Sequence, residues 1–294
     1  MINDAHIHFF SPGFFAGLGA DQKSIAALGW EHPDSVEALA ERWVTALDTH
    51  GVERAALIAS LPGDVDSVAK AVAMNDSRFV GFFMLDPTRE DAIAHAQRAL
   101  DEGMRTICLF PAMHRYALHD ERVARVFELA AGRRGGTVEP IAIFAHCGVL
   151  SVGVRKKLGL PGRFDLRLGD PLGVARLALT FPNVPFIIPH FGAGLFREAM
   201  MAADTCANIY LDTSSSNGWI RYAPGLTLES VFRTALSVAG ASRLLFGTDS
   251  SFFPRGWHKA VFDAQKTAIA ALGHTADDEA LIFGGNFERL FPLS

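Results

Sequence analysis

The sequence predicts a single (β/α)8 barrel, a TIM barrel with elaborated loops on its carboxyl face. Eight short β-rich runs alternate with helical patterns, several runs are apolar almost throughout, and the long connections follow strands instead of preceding them. Alternation implies parallel βαβ units, and continuous apolar strands imply a sheet covered on both faces. Loops that follow strands form the face where barrel enzymes place their chemistry. A doubly wound sheet with extra strands is the competing architecture. No composition break or linker interrupts the 294 residues, which favours one barrel domain over 1–294.

The predicted strands are "INDAHIH" (2–8), "RAALIAS" (54–60), "FVGFFML" (79–85), "RTICLF" (105–110), "PIAIFAH" (140–146), "VPFIIPH" (184–190), "NIYLD" (208–212) and "RLLFGTD" (243–249). Helical spacing of apolar residues marks the stretches between them. "DSVEALAERWVTALDTHG" carries an N-cap candidate at Asp34 and a stop at Gly51. "TREDAIAHAQRALDEG" opens on Thr88, with Asp91 three residues on approximating a capping box, and ends at Gly103. "DERVARVFELAAG", "LGVARLALTF", "LTLESVFRTALSVAG" and "KAVFDAQKTAIAALG" follow the same pattern. A last helix, "NFERLF", is expected to be capped by Asn286. The long loops are 9–33, 111–119, 147–167, 213–226 and 250–256, with "FGAGLF" read as a tight turn after His190.

Composition narrows the function classes. The chain is 49% hydrophobic with a net charge of −5, and "RKK" at 155–157 is its only basic cluster, which argues against nucleic acid as a partner. No apolar run approaches the ~18 residues of a membrane span, and the start "MINDAHIH" lacks the features of a secretory signal. Cys108, Cys147 and Cys206 are too few for a disulfide framework, so a cytoplasmic location is expected.

The chemistry is suggested by where histidines fall. His6 and His8 lie two residues apart on the first strand, so both project to one side with Cα atoms roughly 6.6 Å apart. The fifth, sixth and eighth predicted strands close on His146, His190 and Asp249. In a closed barrel these five groups face one mouth. Imidazole nitrogen and carboxylate oxygen are ligands for Zn²⁺ and similar divalent cations, and burying so many polar groups without a partner would cost several kcal/mol.

The ordered set "DAHIHFF", "IFAHCG", "IIPHFGAG", "NIYLDTSS", "LLFGTDSSF" and "GNFERLF" resembles the amidohydrolase superfamily, in its amidohydrolase-2 branch. That branch includes aminocarboxymuconate semialdehyde decarboxylase-like enzymes and lactonases. The resemblance implies that His6, His8, His146 and Asp249 ligate one divalent ion, Zn²⁺ first and Mn²⁺ as the alternative. It also implies that Asp249 and His190 act as catalytic groups. Where many relatives carry Lys-Leu-His-Pro at the fourth strand, this chain has "CLFP" (108–111). It offers no bridging Lys or Glu there, so one ion is expected instead of two, with Cys108 a buried apolar residue.

The reaction expected from this site is hydrolysis of a C–O or C–N bond in a small lactone or cyclic amide. The alternative is non-oxidative decarboxylation at the same metal, for which Arg115, Arg155 and Arg221 are candidate carboxylate anchors. A third reading is a binding barrel without turnover. His114, Arg115, Trp219, Arg221 and Phe252 are the candidate substrate contacts, on an apolar mouth suited to a planar or cyclic acid derivative. Relatives in the family are often homodimers, which makes self-association an expectation of the resemblance.

Overall fold

A computed structural model of the chain describes residues 1–132 and 141–293. Eight parallel strands pair in chain order: β1 Asn3–His8, β2 Arg54–Ala59, β3 Phe79–Leu85, β4 Thr106–Leu109, β5 Ala142–Ala145, β6 Phe186–Ile188, β7 Ile209–Asp212 and β8 Leu244–Leu245. The ring closes through backbone bonds from Ala5 N to Phe246 O (2.8 Å), His8 N to Ser250 O (2.8 Å) and Asp249 N to His6 O (3.0 Å). The predicted barrel is therefore the observed one.

Each strand is followed by a barrel helix: α1 Val36–Thr49, α2 Val65–Met74, α3 Ala92–Asp101, α4 Glu121–Gly132, α5 Pro171–Thr180, α6 Phe196–Thr205, α7 Leu228–Ala239 and α8 Lys259–Ala270. Strand side chains alternate between two apolar layers. Ile7, Leu57, Phe83 and Ile107 pack outward under the helices, while Ala56, Phe82, Cys108 and Phe144 fill the barrel interior. Phe287, Leu290 and Phe291 join the interior cluster, so the C-terminal helix belongs to the barrel's own core. Among the described residues no helix is long and apolar enough to cross a membrane.

Several expectations are corrected. The N-cap of α1 is Ser35, not Asp34, because the Ser35 side chain accepts from Ala38 N. Thr88 does not open α3; its hydroxyl donates to Asp86 Oδ1, and the helix begins at Ala92. Helices α2 and α6 were not foreseen, α6 because the glycine-rich stretch before it reads as a turn. The long loops carry short helices of their own, such as Pro12–Gly17, Gln22–Ala26 and Gly153–Lys157. Pro140, the predicted start of β5, lies outside the described residues.

Asn286 is not a cap either: its φ of −69° and ψ of −36° are helical, continuing from the preceding turn. Its side-chain amide instead donates to Ala241 O and Leu244 O, both at 2.7 Å, and ties the C-terminal helix to the entry of β8. Asn286→Ala would withdraw a donor from both carbonyls, of which Ala241 O keeps the Leu244 N–H, and an unsatisfied buried group costs about 1–3 kcal/mol. A loss of roughly 1–3 kcal/mol in urea unfolding is expected, and an unchanged midpoint would show that the tether contributes nothing.

Candidate metal centre

His6 and His8 do share a face, with ring centroids 5.0 Å apart and Nε2 atoms 3.3 Å apart. The strand's alternation is interrupted just before them, by a register shift between Asp4 and Ile7. Asp4 consequently turns away from the mouth and accepts hydrogen bonds from Thr248 Oγ1, Thr248 N, Trp257 Nε1 and His6 N. Burial pushes its carboxyl up to about 6 against those four donors. Through them β1 is laced to the segment that carries Asp249.

His146, His190 and Asp249 are not strand residues. They stand one, two and four positions beyond β5, β6 and β8. Pro189 has no N–H to extend the ladder, so β6 stops before His190. His190 and Asp249 then adopt left-handed backbone, with φ of 57° and 58°. Such conformations are uncommon for residues with a side chain and cluster at functional sites. These turns, not strand alternation, aim the two groups.

The donor atoms of His6, His8 and Asp249 lie within 4.8 Å of one another. Asp249 Oδ1 is 3.3 Å from His8 Nε2 and 3.7 Å from His6 Nε2. His190 stands alongside, its ring 5.0 Å from that of His6. His146 lies outside the tight cluster but adjoins it, 5.3 Å from the His190 ring and stacked on Phe110. Its Nδ1 is buried with no hydrogen-bond partner.

The opposite edges of the rings are fixed by groups the sequence did not single out. His6 Nδ1 meets Asp212 Oδ2 at 2.6 Å, with both side chains almost wholly buried. His8 Nδ1 meets Ser60 Oγ at 2.6 Å, and that hydroxyl donates onward to Ile58 O, so it accepts from the imidazole. His190 Nδ1 donates to Ser214 O at 2.9 Å. This network assigns the proton of all three rings to Nδ1 and turns three Nε2 lone pairs toward the mouth. The signal for Asp212 was present, since it ends β7 as Asp249 ends the eighth predicted strand. The serines had no signal in the sequence.

Burial and charge pull these groups in opposite directions. Burial alone would lower His6, but the carboxylates of Asp212, Asp249 and Asp4 outweigh it and raise its affinity for a proton. Burial lowers His8 and His190 and drives His146 well below its ordinary value, the last assisted by repulsion from its neighbouring imidazoles. Burial also works to raise Asp249 and Asp212, yet hydrogen bonds and charge from the histidines hold both carboxyls below the usual range.

His6, His8, His146, His190 and Asp249 line a cavity of about 440 Å³ at the carboxyl face. Trp219, Arg221 and Phe252 line it as expected, and Phe10, Phe14 and Trp30 add aromatic wall. His114, Arg115 and Arg155 do not. They line a neighbouring depression that shares only Met84 and Met113 with the cavity. Phe9, Phe253 and Trp257 belong to the outer apolar layer. Cys108 is buried inside the barrel, its thiol pushed well up by burial. The loops after β5 and β6 approach so closely that a Cβ at Gly148 (φ +69°) would collide with the carbonyls of Gly192 and Ala193.

The family sequence model described as "Amidohydrolase" matches residues 4–293. Three solved structures are similar over nearly the whole chain. One is an uncharacterized TIM-barrel protein of Bordetella bronchiseptica (19% identity, 98% of this chain and 97% of that one, TM-score 0.68). Another is a probable 2-pyrone-4,6-dicarboxylic acid hydrolase of Acinetobacter baumannii with citric acid bound (15%, 99% and 98%, TM-score 0.62). A third is an amidohydrolase of Burkholderia multivorans with bound zinc (15%, 100% and 100%, TM-score 0.65). At these identities the likeness is one of fold. Protein fluG of Emericella nidulans is 30% identical over 90 residues, 31% of this chain and 10% of that protein's length.

Proposed function

The chain belongs to the Amidohydrolase family, and from that premise we propose that it is a mononuclear metal-dependent hydrolase acting on a small cyclic ester or amide. One observation carries the reading. His6 Nε2, His8 Nε2 and Asp249 Oδ1 are three acceptors facing one another at 3.3–3.7 Å, with the protons of both rings committed elsewhere. Lone pairs so arranged repel unless a cation stands between them, and two nitrogens and a carboxylate oxygen suit zinc.

His6, His8 and Asp249 would hold the ion, with His146, whose buried Nδ1 has no partner, as the fourth ligand. Such a cation supplies Lewis acidity, polarising a carbonyl and making water acidic enough to yield hydroxide near neutral pH. The zinc-bound relative supports the choice of metal. The absence of a bridging Lys or Glu at β4, where Cys108 is a buried thiol, supports one ion instead of two.

The chain's own groups complete the reaction. His190, held neutral by burial with Nδ1 bonded to Ser214, presents Nε2 as a proton acceptor to a nucleophilic water. The same nitrogen, once protonated, returns the proton to the departing alkoxide or amine. Aromatic walls exclude bulk water and orient a ring. The relative described as acting on a 2-pyrone, a cyclic ester, favours a lactone over an amide. A reducing, cytoplasmic setting is part of the reading, since Cys108, Cys147 and Cys206 are free and buried.

The test is removal and return of metal. Treatment with a strong chelator is expected to cut lactone turnover to about 1% or less, and one equivalent of Zn²⁺ or Mn²⁺ to restore it. Full turnover in protein free of metal by elemental analysis would end the proposal. Release of CO2 without ring opening would assign the site to decarboxylation instead.

A further inference from the structure

A second hollow lies behind one wall of the metal cavity. In that wall Trp30 and Phe252 stack at 4.0 Å and 12°, and Phe10 stands 6.3 Å from Trp30. The same three residues line a chamber of about 370 Å³, closed on its other sides by Phe15, Phe253 and the start of α1 at Ala38 and Leu39. The partition between the two spaces is therefore one ring thick. Interior rings are ordinarily packed on both faces at the density of an organic crystal, and a ring bordered by hollows forgoes the contacts that would hold it still.

The backbone is pinned where the rings are not. Glu31 N donates to Phe253 O at 2.9 Å, tying the loop after β1 to the loop after β8, and Trp30 N donates to Ile25 O at 3.3 Å. The Trp257 indole is locked by a 2.7 Å hydrogen bond to Asp4, whereas among the described residues no hydrogen bond holds the Trp30 indole. Rotation of Trp30 and Phe252 about their side-chain bonds would join the two spaces without moving either loop. The chamber's charge suits an uncharged guest. Arg42 is the only arginine or lysine among the described residues that line it; it pairs with Glu31 and lies 4.3 Å from the Phe253 ring, and Asp34 adds a further acid. Such a lining disfavours an anion, and its rings favour apolar surface.

We propose that Trp30 and Phe252 form a door, and that the chamber behind it receives an uncharged alkyl or aryl extension of the ring opened in the metal cavity. That the guest is part of a substrate rests on the hydrolase proposal, whereas the chamber's affinity for uncharged apolar groups does not.

The first measurement is fluorescence titration of the full-length protein, zinc-loaded and chelator-treated, with the uncharged aromatic probe N-phenyl-1-naphthylamine. Ala38→Phe, which fills the chamber from the α1 side, is expected to weaken binding at least about tenfold in both preparations. Ala38→Ser should stay within about twofold of the parent. Ala38 is exposed, so both replacements leave the fold intact, which thermal melting checks. The second measurement is the ratio of kcat/KM for γ-undecalactone to that for γ-valerolactone, which share a ring and differ in the length of an alkyl chain. Ala38→Phe should lower this ratio at least about tenfold, and Trp30→Ala, which removes the door, should raise it. A merely structural wall would not move the two variants in opposite directions. Probe affinity unchanged by Ala38→Phe overturns the chamber. A ratio unmoved by Ala38→Phe, or lowered by Trp30→Ala, overturns the door and its guest. Probe affinity lost in Ala38→Phe of a protein that opens neither lactone supports the chamber and sinks the hydrolase proposal alone.

Discussion

Asp249→Asn is expected to lower turnover by about a thousandfold, through loss of a charge that sits 3.3 Å from His8 Nε2 and 3.7 Å from His6 Nε2. The amide has nearly the shape of the carboxylate, so packing is preserved and the effect is electrostatic. It removes the only anionic donor of the cluster and turns a neutral group toward the ion. Stability should change by less than about 1 kcal/mol, because Asn tolerates the left-handed backbone that Asp249 adopts (φ 58°). The measurements are kcat on the best lactone of a substrate panel, zinc content, and the melting temperature. A variant that melts normally yet turns over within about tenfold of the parent would remove Asp249 from the mechanism.

Asp212 gives the second large effect, of a different kind. It touches no substrate; it holds His6 by a 2.6 Å hydrogen bond and accepts from Ser214 N at 2.6 Å, with essentially no solvent exposure. Asp212→Asn keeps an acceptor for the imidazole but withdraws the charge that raises its basicity. Zinc affinity, measured by competition with a chromophoric chelator, should fall by about 10–100-fold. Saturating zinc should then recover much of kcat, a rescue not expected for Asp249→Asn. Asp212→Ala strips both donors of their partner and should destabilise the fold by about 3–5 kcal/mol. Unchanged zinc affinity in Asp212→Asn would mean that the residue is merely structural.

The contrast between these two acids illustrates what the sequence made legible. The barrel was readable because parallel strands need apolar residues on both faces, and that requirement leaves runs such as 79–85 and 184–190 unmistakable. His6 and His8 were readable because a period of two places them on one face whatever else the fold does. Asp249 and His190 were found by position alone. The geometry that aims them is a left-handed turn, which leaves no periodic trace. Asp212 closes β7 and was open to the same strand-end reasoning, but its partner is 206 residues away, a pairing that only tertiary structure reveals. Ser60 fixes one tautomer with a hydroxyl that resembles any other, and Ser214 fixes another with its backbone carbonyl, which any residue carries. Loop trajectories were the least legible. His114 and Arg115 follow β4 and still fall in a separate depression, whereas Trp30, near the end of a long loop, returns to wall the cavity.

The central claim is that His6, His8 and Asp249 converge on one cation. It is tested most directly by anomalous diffraction at the zinc edge from crystals of the zinc-loaded protein. A single strong peak about 2.0–2.2 Å from His6 Nε2, His8 Nε2 and Asp249 Oδ1 is the predicted result. Full zinc loading with no peak among those three atoms, or a peak held by other side chains, would contradict it.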